Sequence, residues 1–170
     1  VIFSLVEVAM AATLTVDLPG LIAGAEIPAE YSCRGQDVSP AVVWSEPPVG
    51  TAAFAVVVDD PDAPGGTFVH WVAYNLPASA RGLPKGVAPW DPAVPQGTNS
   101  FRRPGWSGPC PPQGSTHRYF VRVYALDTAL TVHGTPNRGA FEAAITGHVL
   151  AAGEWMGRFS MPLSMPLGKW

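Results

Sequence analysis

Apolar residues run without a polar break over positions 52–58. Such a run, rich in β-branched side chains, predicts a strand buried on both faces. Pro61 biases Asp60 toward the extended region, so the strand is expected to persist through Asp60. Further strands are predicted over 42–44, 69–75 and 118–126, where β-branched and aromatic residues dominate, with short ones at 131–133 and 157–159. One helix is predicted: Thr135 caps it and Pro136 takes its first position. Phe141, Ile145, His148, Val149 and Ala152 then recur on one face, and Gly153 stops it. On that face His148 is expected to be a satisfied core histidine. Positions 83–113 are dense in proline and form a long irregular excursion, which Trp90, Phe101 and Trp106 mark as packed.

Composition narrows the class. Apolar residues make up 47% of 170, enough for a real core. Charged residues are 14%, against roughly 25% in ordinary domains. A net charge of −3 offers no electrostatic reason to expect nucleic-acid or anionic-membrane partners. The 18 glycines and 19 prolines are spread through apolar runs, which reads as many turns between short strands. No domain boundary appears, so 1–170 is expected to be one mainly β domain. The apolar N-terminus lacks a basic flank, carries Glu7 and is too short to span a bilayer. Residues 1–10 read as an extension, with Met10 a candidate start, and 161–170 as a loose tail. No membrane span is expected. The expected compartment is the cytoplasm, or the periplasm or exterior if an upstream signal has been removed. Cys33 and Cys110 form no CxxC pair; Cys110 is either a reactive thiol or the partner of Cys33.

Candidate chemistry gathers in VVVDDPDAPGGTFVHW, from Val56 to Trp71. Taken alone, Asp59, Asp60 and Asp62 end a strand in an ordinary way. Strand parity adds to this. His70, Val72 and Tyr74 are expected to share one face, and His117, Tyr119, Val121 and Val123 another. With aligned strands, both histidines reach one rim, beside Asp60. A carboxylate beside an imidazole orients the ring and favours its charged form, whose other edge can donate to a phosphate or carboxylate. Tyr119 adds a neutral donor, and Gly108 and Gly114 allow close backbone approach.

DDPDAP, then HW after a short loop, then NSF…GWSGPCPPQG…HRYFVRVYALD, resembles the phosphatidylethanolamine-binding protein family, most closely its bacterial and archaeal Raf kinase inhibitor-like branch. YSCRGQDVSPAVVW and ITGHVLAAGEWMGRF fit the same branch, and the match spans about 23–159. The resemblance implies a mainly β fold: a central antiparallel sheet, a smaller second sheet, and one or two peripheral helices. It also implies a rim pocket for small anions such as phosphate, carboxylate or a phospholipid headgroup. Ligand-binding positions carry over to Asp60, Pro64, His70, Gly108, His117 and Tyr119, with Asp62 adjacent. Partners would be such an anion and a protein, a kinase or protease; no cofactor is implied. The sequence departs from the family pattern at the short Gly65-Gly66 loop, at Arg102-Arg103 where a glycine is expected, in the absence of a long C-terminal helix, and in the SMPLSMPLGKW tail.

Two rivals stand behind the binding module. A hydrolase or lyase could use Asp60, His70 and His117 as acid–base groups, but Gly-x-Ser-x-Gly is absent, so no catalytic residue is assigned. A metal site from Asp60, Asp62, His70 and His117 has suitable donors but no recognised ligand spacing, so no metal is assigned.

Overall fold

The computed structural model describes residues 12–163. The N-terminal extension and the tail from 164 onward lie outside those residues. Eight strands form two sheets. β1 (Ala12–Thr13), β4 (Ala53–Asp60), β5 (Phe68–Pro77), β7 (Thr116–Leu126) and β8 (Val149–Ser160) make a five-stranded sheet in the order β1-β8-β7-β4-β5. β2 (Val16–Asp17), β3 (Val42–Trp44) and β6 (Gly82–Leu83) make a small sheet in the order β2-β3-β6. All pairings are antiparallel except β1 on β8.

β4 lies inside the large sheet, between β7 and β5, and all eight of its residues are buried, as its unbroken apolar run predicts. Val56 and Val58 pack with Trp71, Val121 and Trp155, and with Val16, Val42, Trp44 and Leu83 of the small sheet. Ala55 and Val57 face the other way, toward Val72, Tyr74, Phe141 and Ile145. The core therefore has two halves, one under the small sheet and one under the single α-helix, α1 (Arg138–Ile145).

The end of the chain differs from expectation. Asn137, not Thr135, caps α1; its Oδ1 accepts from Ala140 N–H at 3.0 Å. Phe141 and Ile145 form the buried face as expected, but the helix ends there. Gly147 takes φ +79°, a left-handed conformation that glycine adopts without steric cost. Val149, Ala152 and Gly153 lie in β8, which pairs with β7 from Leu126↔Val149 to Thr116↔Ser160. The strand expected at 157–159 is thus the end of a much longer one. Apolar spacing in 141–152 fits a helix as well as a partly buried strand; pairing with β7 decides for the strand. His148 is correspondingly exposed and pairs with Asp127 at 2.8 Å, so it is not a core histidine. Residues 131–133 are not a strand: Asn75 holds Leu130 by two hydrogen bonds, at 2.7 and 3.0 Å, and the chain leaves the sheet.

Candidate functional site

β4 carries the site's first carboxylate. Asp59 and Asp60 are both buried, on opposite faces. Asp60 Oδ1 accepts from Asp62 N–H at 2.8 Å, closing the turn that Pro61 begins. Its Oδ2 accepts from His117 Nδ1 at 2.7 Å, 57 positions along the chain. Both side chains are under one-tenth exposed. This carboxylate fixes the ring and the tautomer of His117, leaving Nε2 as its free polar atom.

His70 reaches the same place by a different route. Val58 pairs with Trp71 and Asp59 with Val69, so His70 is an extra residue in β5 with no partner on β4. Such a bulge breaks strict alternation. His70 is therefore not on the face of Val72 and Tyr74, as parity predicts; those two pack toward α1. Its ring lies 5.3 Å from Tyr119 and 5.1 Å from Phe68, on the other face. Its Nδ1 is 2.5 Å from the carbonyl oxygen of Ser107. A carbonyl only accepts, so Nδ1 carries the proton and Nε2 is the unprotonated ring nitrogen. Burial pushes the pKa of His70 below its ordinary value, against the opposing pull of Ser107 and Asp60.

Tyr119 shares a face of β7 with His117, and its ring stands 5.3 Å from that of His70. Its hydroxyl is buried beside the Asp60 carboxylate but makes no well-formed hydrogen bond among the described residues. Burial first, then the charge of Asp60, push its pKa far above the usual phenol value, so it is a permanent neutral donor. Asp62 lies outside this cluster. It holds the Arg118 guanidinium at 2.7 and 2.9 Å and the Arg118 amide at 2.9 Å. Those contacts lower its pKa to about 2. Pro64 is exposed on the turn.

Gly108 is used structurally. A Cβ there would lie 1.9 Å from the Tyr31 carbonyl oxygen, and its amide already donates to Asp37 Oδ1 at 2.7 Å. The Cys33–Cys110 disulfide and the Cys33 amide, donating to Pro109 O at 3.1 Å, pin the same loop. This removes the free-thiol alternative for Cys110. Among the described residues, no three His, Cys, Asp or Glu converge in an arrangement that could hold a metal ion.

Several residues that shape the site escaped sequence reasoning. Asn99 is buried; it accepts from the amides of Phe101 and Arg103 and donates to Gly105 O and Ser107 Oγ. Ser107 Oγ also accepts from Arg103 Nε at 2.9 Å. The ring of Phe101 stands 4.7 Å from Phe68 and 5.9 Å from His70. Arg102, at the position where the resemblance calls for glycine, takes φ +62°. The NSF and GWSGPC motifs contain these residues, but spacing alone does not show their contacts.

The model of the phosphatidylethanolamine-binding protein family matches residues 19–160. A UPF0098 protein of Aquifex aeolicus is 42% identical over 142 residues, covering 80% of this chain and 82% of that protein. A UPF0098 protein of Pyrococcus horikoshii is 41% identical over 138 residues, covering 78% of this chain and 70% of its own. The crystal structure of Escherichia coli YbcL, described as a new member of the mammalian PEBP family, superposes with a TM-score of 0.82 at 30% identity, covering 88% of this chain and 99% of YbcL. With its two sheets, its peripheral helix and a match across most of its length, the chain belongs to the phosphatidylethanolamine-binding protein family.

Proposed function

We propose that this protein binds a small anion, a phosphate or carboxylate group free or on a headgroup, between His70, His117 and Tyr119. The observation that carries the reading is the buried Tyr119 hydroxyl, which makes no well-formed hydrogen bond among the described residues, set beside histidines whose Nδ1 atoms are already engaged. A buried polar group without a partner is costly, and a bound acceptor would offset that cost. The Nε2 atoms of His70 and His117 supply further polar contacts, and Asp60 keeps one ring oriented. Asp62, engaged by Arg118, braces the turn, and Pro64 and Gly108 shape the walls. Modulation of a kinase or protease is the regulatory role that family membership suggests for such a pocket. No described helix is long and apolar enough to cross a membrane. The disulfide favours an oxidising compartment over the cytoplasm expected above.

The test is an NMR pH titration of the imidazoles with and without inorganic phosphate or phosphoethanolamine. His70 and His117 are expected to shift with ligand, while His133 and His148 do not. Silence of both pocket histidines toward both anions overturns the reading.

A further inference from the structure

We propose that Arg103 forms a second anion subsite at the mouth of this pocket, so that the preferred ligand carries two anionic groups. One would sit at His70, His117 and Tyr119, the other on the Arg103 guanidinium. The inference rests on the anion-binding reading and narrows its ligand class.

Three observations support it. First, Arg103 is held in place before any ligand arrives. Its Nε donates to Ser107 Oγ at 2.9 Å, and its guanidinium lies 5.5 Å from the centre of the Phe101 ring. Its backbone is fixed as well: its amide donates to Asn99 Oδ1 and its carbonyl accepts from Asn99 N–H. A guanidinium already ordered loses less freedom on binding an anion. Second, its charge is not neutralised. Arg81, Arg118, Arg122 and Arg138 each pair with a carboxylate, whereas Arg103 forms no ion pair among the described residues. Third, one residue locates both subsites. Ser107 presents its hydroxyl to Arg103 and its carbonyl to His70. Phe101 neighbours both, its ring 5.9 Å from that of His70 and 5.5 Å from the guanidinium. Two cationic or donor groups fixed by a common residue suit a ligand whose anionic ends are separated by a short spacer.

The probes are alkylphosphonates and ω-carboxyalkylphosphonates of matching and increasing chain length, titrated calorimetrically into the full chain. At the best length, wild type should prefer the carboxylated probe by about tenfold, the effect of one charge-assisted contact to a preordered side chain. Arg103→Gln should bring that ratio to about one, and Arg103→Lys should retain part of it. The preference should also shrink at high salt. Should Arg103→Gln fold poorly by circular dichroism, Ser107→Ala removes the Nε anchor and should lower the same ratio. Absence of a preference at every length, or its persistence in both variants, overturns the proposal. If alkylphosphonate and inorganic phosphate bind without any preference for the carboxylate, only this inference fails; if none of the anions binds, the anion-binding reading fails with it.

Discussion

His117 Nδ1 donates to Asp60 Oδ2 at 2.7 Å, and both side chains are buried. Asp62, two residues along, grips Arg118 with more numerous contacts, at 2.7 to 2.9 Å, yet both of those side chains are far more exposed. Burial should decide which matters for stability. Asp60→Asn removes a desolvated charge-assisted bond and is expected to cost about 2 kcal/mol. Asp62→Asn should cost less than about 1 kcal/mol, because water and salt screen the pair. Urea denaturation of both variants checks the order. The Asp62 contribution is present above the ordinary carboxylate value and lost as pH falls toward about 2, so its carboxyl resonance should titrate there and move back up in Arg118→Gln.

Burial favours the neutral form of His70 in the free protein. An anion at its Nε2 favours the protonated ring, so bound protein takes up a proton that free protein lacks. Affinity for sulfate, which does not itself titrate in this range, should therefore rise as pH falls from about 7.5 toward about 5.5. His70→Gln should flatten that dependence. A pH-independent sulfate affinity in the wild type would exclude this coupling.

Asp59, on the opposite face of β4, is buried with its Oδ2 3.0 Å from Arg122 Nε. Burial still raises its pKa, only partly offset by Arg122. Arg122→Met should strand this carboxylate and destabilise by about 3 kcal/mol. Adding Asp59→Ala should recover part of the loss, because removing both charges is cheaper than removing one. A double-mutant cycle measured by thermal or urea unfolding tests the sign of the coupling.

The Cys33–Cys110 bridge spans 77 positions and anchors the loop that presents Ser107 and Gly108. Chain-entropy arguments put its stabilisation at about 4 kcal/mol. Dithiothreitol, or the Cys33→Ser/Cys110→Ser pair, should lower the unfolding midpoint. Amide exchange should quicken first in the loop around Ser107. Uniform exchange throughout the chain would argue against a local anchoring role.

Arg102 is exposed and left-handed, a conformation that costs a side-chain-bearing residue about 1 kcal/mol or more. Arg102→Gly removes that strain, against the greater freedom glycine has in the unfolded chain. A net gain of about 0.5 kcal/mol is expected in the urea midpoint.

The sequence by itself determined the scaffold of the large sheet. An unbroken apolar run such as 52–58, ended by the Asp-Pro turn, suits an interior strand covered on both sides, and 118–126 pairs with it. The DPDAP turn was equally legible, because proline and aspartate act on their own local backbone. Three features needed the folded molecule. The partner of 149–160 was not encoded in its ambiguous periodicity; pairing with β7 made it a strand. A one-residue bulge carried His70 across the sheet to Tyr119, and strand parity cannot foresee an inserted residue. The links from Ser107 to His70 and from Gly108 to Asp37 join segments far apart in the chain, and Ser107 orders Arg103 within its own loop. Such contacts are set by how loops close over a core, which local propensity does not record.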